Sequence, residues 1–274
     1  MADLVRRAES AGAGIGAFNV IQLEHAEGIV AGAERARRPV VLQLSENTVD
    51  YHGALAPLAR ACLAVADTAS VDVVVHLDHV TRTDLVAQAL DLGLPSLMYD
   101  ASALTHDDNV AATRSVVERA HAAGVWVEAE LGEVGGKDGV HAAGVRTRPD
   151  EAASYVAETG VDALAVAVGS SHAMLTRDAV LDDGLIAEIA AAVPVPLVLH
   201  GSSGVPDDGL CRAVSHGMRK INVATQLNKV MAAAVRRALA DPDLVDPRRY
   251  LGPGRDAVAD EVARLLTLLA PTSY

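Results

Sequence analysis

Val71-Asp72-Val73-Val74-Val75-His76-Leu77-Asp78-His79, then Thr81 to Leu92, then Ser96-Leu97-Met98-Tyr99-Asp100, form one complete unit of the pattern that decides the fold. The first segment is β-branched and bounded by turns, which reads as a strand. The second has helical spacing at Leu85, Ala89 and Leu92 and is stopped by Gly93. The third is apolar and short, a strand again. Working outward, Ile15–Val20 and Val40–Ser45 read as strands, followed by helices near Leu23–Arg37 and Leu55–Ala69. Downstream, a helix over Asp108–Ala123 ends at Gly124, and strands are expected at Val125–Leu131, Ala163–Val168, Pro196–His200 and Lys220–Ala224. Helices fall between them at about 150–159, 184–193 and 207–216, and after the last at about 226–240. Eight strands, each followed by a helix, predict a (β/α)₈ TIM barrel. An open doubly wound sheet is the alternative, which the regularity of the units disfavours. A further helix is expected at Asp256–Leu269, after the Pro- and Gly-rich Asp246–Gly254.

The 274 residues match the usual size of one such barrel, so 1–274 is read as a single domain. Aromatics are only 3% of the chain, which leaves the packing to Ala, Val, Leu and Ile. A net charge of −13 argues against nucleic-acid or anionic-membrane partners, which call for basic surfaces. It leaves room for a phosphorylated small molecule, because backbone N–H groups and a divalent metal supply a local positive field. Cys62 and Cys211 are read as buried thiols in a reducing compartment. Met1–Ser10 holds charges and no apolar core of a signal peptide, and no run is long enough to span a membrane, so the expected location is the cytoplasm.

In barrels of this kind the chemistry sits at the C-terminal ends of the strands. His79, His172 and His200 all fall at such ends. A lone histidine is ordinarily a surface residue or a hydrogen-bonded core residue. Three that the fold converges on one rim form the donor set of a catalytic zinc site with an open position. His25, His52, His106, His121, His141 and His216 lie in helices or loops and are read as solvated; His76 shares strand parity with Asp78 and is read as orienting it or a ligand. Asp78 is either a strand-end carboxylate accepting backbone hydrogen bonds or a general acid/base beside the metal. Gly201-Ser202-Ser203-Gly204 and Asn222-Val223-Ala224-Thr225 follow strands seven and eight, where barrels often bind phosphate. The connection from Gly132 to about Pro149 is long enough for a lid.

Taken in order, Ala17-Phe18-Asn19-Val20, His76-Leu77-Asp78-His79, Glu128-Ala129-Glu130-Leu131-Gly132, Gly135-Gly136, His200-Gly201, Asn222-Val223-Ala224-Thr225 and Asp246-Pro247-Arg248-Arg249-Tyr250-Leu251-Gly252-Pro253 closely resemble the motifs of class II fructose- or tagatose-bisphosphate aldolases. The resemblance runs along nearly the whole chain. It implies a zinc-dependent, reversible aldol cleavage of a ketose 1,6-bisphosphate to dihydroxyacetone phosphate and an aldehyde such as glyceraldehyde 3-phosphate, in carbohydrate metabolism. His79, His172 and His200 would hold the zinc, with Glu130 as a ligand of a second metal position. Asp78 would move the proton on the oxygen at the cleaved bond. Asn19, Ser45, Ala173, Gly201, Ser202, Ser203, Asn222, Val223, Ala224 and Thr225 would meet the substrate, with a monovalent cation (Na⁺ or K⁺) near the phosphate. A homodimer or homotetramer is implied.

Three departures stand out. Ala173 replaces a glycine common after the second zinc histidine. Lys137-Asp138-Gly139 follows the Gly-Gly where relatives often have a Glu-Asp pair, which makes Asp138 the expected lid acid/base and Glu133 a poorer one. The tail, Pro271-Thr272-Ser273-Tyr274, lacks a common ending. The alternatives are a metal-dependent phosphosugar epimerase, which should mix two aspartates with two histidines, and a catalytically silent metal-binding barrel. A Schiff base at Lys220 is a further route, disfavoured by the three histidines.

Overall fold

Eight parallel strands close on themselves in chain order in the computed structural model, which describes residues 1–131, 146–171 and 174–270. Glu133, Lys137, Asp138, His141, His172 and Ala173 lie outside the described residues. The strands are β1 (Ile15–Asn19), β2 (Val40–Ser45), β3 (Val73–Val80), β4 (Ser96–Tyr99), β5 (Trp126–Glu130), β6 (Ala163–Ala165), β7 (Leu197–Leu199) and β8 (Met218–Val223). β8 pairs back onto β1 with Ile15 opposite Lys220, so no edge remains. The (β/α)₈ barrel expected from the strand–helix repeat is the fold found.

Side chains alternate in and out along each strand. The outward set, including Phe18, Leu42, Leu77, Leu97, Val127 and Leu164, packs against Ile29, Leu85, Val116 and Ile189 of the surrounding helices as one continuous core. The inward set mixes apolar and polar groups. Val41, Val74, Trp126, Ala163 and Val198 fill the interior with small or flat apolar groups. Gln43, His76, Ser96, Glu128 and Lys220 are fully or almost fully buried polar residues among them. Gln43 registers with His76, and His76 with Ser96, so these polar groups are neighbours around the barrel.

Three helical features escape a reading by period alone. Helix α1 (Ala2–Ala11) packs Leu4, Val5 and Ala8 against the interior apolar set. A short helix, α3 (Glu46–His52), follows β2 and is capped by Ser45, whose side chain accepts from Thr48 N. The last helix begins at Pro247 rather than Asp256 and runs to Leu268 straight through Pro253. It lies on α2 (Leu23–Ala36) with the backbones in near contact: a Cβ on Gly28 would sit 2.7 Å from Arg255 O, and one on Gly32 2.5 Å from Ala259 O. Strand six is shorter than expected because Ala167 leaves the ladder for Thr147, accepting from its N–H at 3.0 Å and donating to its hydroxyl at 2.9 Å.

Two expectations are corrected. Cys62 is buried, but Cys211 is exposed, because the helix Asp207–His216 turns Leu210, Ala213 and Val214 inward and leaves Cys211 off that face. His25 is buried rather than solvated, on the face of α2 that lies against Asn228. No helix among the described residues is long and apolar enough to cross a membrane.

Candidate active site and metal centre

β3 ends with consecutive residues that both face the mouth. A regular strand would send Asp78 and His79 to opposite sides. The register with β4 slips between Leu77 and Val80, and His79 adopts a left-handed backbone with φ 49°. That kink, of the kind a β-bulge produces, brings both side chains to one cavity. Left-handed φ is uncommon for a residue with a Cβ, so the position is strained.

His79, Glu130 at the end of β5 and His200 just after β7 each bring a ligand atom to one point, all within 4.8 Å of one another. His79 Nδ1 donates to Asp100 Oδ2 at 3.0 Å, which presents Nε2 as its ligand nitrogen. Asp100 is itself held by the Ser102 hydroxyl at 2.6 Å. His200 lies between two carboxylates, with Nε2 3.0 Å from Glu128 Oε1 and Nδ1 3.1 Å from Glu130 Oε2. Burial alone would lower its pKa, but the hydrogen bonds and charges of Glu128 and Glu130 prevail and raise it to about 9. Two imidazole nitrogens and a carboxylate oxygen, convergent and buried except for the partly exposed His79, are a donor set that fits a catalytic divalent cation. His172, the remaining expected ligand, lies outside the described residues.

Beside this centre is a cavity of about 400 Å³. Asn19, Asp78, His79, Gly201, Ser203, Asn222, Ala224 and Thr225 line it, all named from sequence, together with Ser171, which was not. Three expected substrate residues are placed otherwise. Ser45 caps α3 and Ser202 Oγ donates to Leu199 O, so neither hydroxyl is directed to the cavity by its partners. Val223 belongs to the outer apolar core, as its strand parity opposite Asn222 requires. Asn222 is 9% exposed and its amide has no hydrogen-bond partner among the described residues. The helix Thr225–Ala238 starts at the cavity with no cap from its own N-cap residue, Ala224; Gln226 N donates to Ser203 Oγ at 3.2 Å, and a helix start of this kind is suited to an anion.

Asp78 is 2% exposed and accepts from Gln43 Nε2 at 2.7 Å. Burial pulls its pKa up, but the positive charge of His79, Lys220 and other neighbours outweighs burial and keeps the carboxyl below its ordinary value. It is therefore an ionised base next to the metal centre. The supports of these groups had little or no signal in the sequence. Gln43, Asp100 and Asn109 are unremarkable as letters. Asn109 Nδ2 donates to the carbonyls of Glu130 and Leu131 at 3.1 and 3.3 Å and is held by the Tyr155 hydroxyl at 2.7 Å, which fixes the end of β5. Glu128 could have been found, because it shares parity with Glu130 and so must also point inward.

His76 does not hydrogen-bond Asp78; its Nδ1 lies 2.6 Å from Ser96 Oγ. Burial, aided by Lys220, lowers its pKa to about 3 against the pull of Glu128 and Asp78. The unfolded chain, with His76 near 6.5, then binds the proton more readily than the fold does. Stability from this residue is complete above about pH 6.5 and is lost as pH falls toward 3. Urea unfolding in chelator should lose about 1 kcal/mol per pH unit below pH 6 through this group. His76→Gln should flatten that slope; an unchanged slope would show that the imidazole is not the proton acceptor.

The family model described as "Fructose-bisphosphate aldolase class-II" matches residues 1–272. A fructose-bisphosphate aldolase of Thermus caldophilus is 39% identical, the match covering 97% of this chain and 96% of that one. Another, of Geobacillus stearothermophilus, is 41% identical over 89% of this chain and 87% of its own. Among solved structures, the YdjI aldolase of Escherichia coli K12 superposes with a TM-score of 0.86 at 31% identity, covering 97% of this chain and 95% of that one.

Proposed function

Because the chain belongs to the class-II fructose-bisphosphate aldolase family, we propose that it is a zinc enzyme that reversibly cleaves the C3–C4 bond of fructose or tagatose 1,6-bisphosphate. The products are dihydroxyacetone phosphate and glyceraldehyde 3-phosphate. That it is an aldolase, a lyase, follows from the family itself; the ion, the sugar and the residue roles are the proposal. The observation that carries it is the ionised Asp78 carboxylate opening on the same cavity as His79, whose ligand atom converges with those of Glu130 and His200.

His79 and His200, with His172, would hold the zinc, and Glu130 would serve a second metal position. The bound cation would supply Lewis-acid polarisation of the substrate carbonyl. Asp78 would take the proton from the C4 hydroxyl in cleavage and return it in condensation. Asn222 and Asn19 would orient the substrate's hydroxyl and carbonyl groups. Gly201, Ser203, Ala224 and Thr225, at this helix start, would bind the phosphate of the dihydroxyacetone portion, with Na⁺ or K⁺ nearby. Asp138 would exchange the proton at C3; its support is the flanking Gly135, Gly136 and Gly139 in sequence.

Lys220 is a poor Schiff-base candidate. It is 1% exposed, it pairs with Glu128 at 2.8 Å and it does not line the cavity.

The deciding experiment combines metal analysis with a coupled assay for triose phosphate. About one zinc per chain, and activity abolished by chelator and restored by zinc, is the expected result. Full activity in excess chelator, with inactivation only by borohydride in the presence of substrate, would sink the zinc mechanism. In the same assay series, Asp138→Ala should slow proton exchange into dihydroxyacetone phosphate more than it weakens binding.

A further inference from the structure

Lys220 Nζ lies 2.8 Å from Glu128 Oε2, and Glu128 Oε1 accepts from His200 Nε2 at 3.0 Å. His76 Nε2 stands 3.8 Å from the same Glu128 Oε2. The chain of groups runs from β8 through β5 to the end of β7, and of its members only His200 has a role in the reaction described above. Glu128 and His200 have fully buried side chains, and Lys220 is 1% exposed.

Stability gives a weak account of this arrangement. An ion pair taken wholly out of water loses much of its Coulomb energy to desolvation, and apolar groups of the same shape often serve as well or better. Barrel interiors are ordinarily filled by such groups. The connection to His200 gives a better account. An imidazole has two nitrogens, and which one is left for a metal depends on what holds the other. Glu128 holds Nε2 and thereby turns Nδ1 toward Glu130 and His79. Lys220 in turn fixes the Glu128 rotamer, because its Nζ lies beside Oε2 while Oε1 holds His200.

The geometry points to Glu128, backed by Lys220, as the positioning residue of the metal centre, setting the tautomer and ring orientation of His200. This inference rests on the reading of His200 as a metal ligand. It makes Lys220 a structural counter-charge in place of an amine nucleophile.

The test is Zn²⁺ affinity, measured by competition with a chromophoric chelator, in the parent, Glu128→Ala and the double variant Glu128→Leu/Lys220→Met, each checked for parental circular dichroism. Ring-¹⁵N spectra of the zinc-loaded proteins report which His200 nitrogen carries the proton. Both variants should bind Zn²⁺ about 10- to 100-fold more weakly, the range found for outer partners of metal-bound histidines. The protonated Nε2 signal of the parent should shift or broaden in each. A purely structural Glu128 would lower the melting temperature and leave both readouts at parental values, which would overturn the inference. Should Glu128→Ala fail to fold, the double variant, which removes both charges together, decides by the same measures. A parent that takes up no Zn²⁺ removes this inference together with the reading beneath it. A parent that binds Zn²⁺ with variants that bind it equally well removes this inference alone.

Discussion

Asp78→Ala is expected to lower turnover by about 10²- to 10⁴-fold while the protein still takes up its metal. The carboxylate sits on the cavity wall, beside but not among the convergent ligand atoms of His79, Glu130 and His200. One oxygen is tied to Gln43 at 2.7 Å, which fixes the plane of the group and leaves the second to exchange a proton. Its neighbours hold it ionised, the state a base requires before cleavage begins. Asp78→Asn separates proton transfer from packing, since the amide oxygen can still accept from Gln43 and the volume barely changes. It should be about as slow as the alanine variant, with parental metal content by elemental analysis. Parental turnover in either variant would return Asp78 to the role of a hydrogen-bonded strand end.

His79→Ala should fail in a different way. Partners one shell out from a metal typically cost 10- to 100-fold in affinity, and removal of a ligand itself should cost more than that. The variant should emerge from gel filtration with little bound zinc and no measurable cleavage in the coupled assay. Its far-ultraviolet circular dichroism should stay parental, because the barrel closes through backbone ladders that do not involve this side chain. Excess zinc should restore little activity. A variant that holds zinc as tightly as the parent would show that the centre is built from other residues.

The pairing of these two neighbours was legible in the sequence only as chemistry. His-Leu-Asp-His at a strand end named both residues, but strand periodicity alone places them on opposite faces. Their convergence depends on the slip between β3 and β4, for which no glycine or proline gives a signal. The strand–helix alternation, by contrast, was readable almost to the residue at β2 and at the helix Asp207–His216, where apolar period and turn residues agree. The C-terminal end of β6 and the start of the last helix were not, because Thr147 and the packing against α2 decide them from far away in the chain. The same reason hid Asp100, Gln43 and Asn109: they act through partners that only the closed barrel supplies. Glu128 was visible by parity with Glu130, yet its meaning depends on Lys220, ninety-two residues later. His172, Ala173, Glu133 and Asp138 lie outside the described residues, so their roles rest on the sequence.

The left-handed backbone at His79 carries a price of about 1–3 kcal/mol, set by local sterics whether or not a metal is bound. Glycine, and to a lesser degree asparagine, would occupy that conformation at lower cost. Selection for stability and selection for catalysis therefore pull this one codon in opposite directions. A lineage that keeps the barrel but no longer needs the reaction should drift to glycine or asparagine at this position before it loses the costlier buried ligands. Such a replacement would be an early mark of retirement from catalysis.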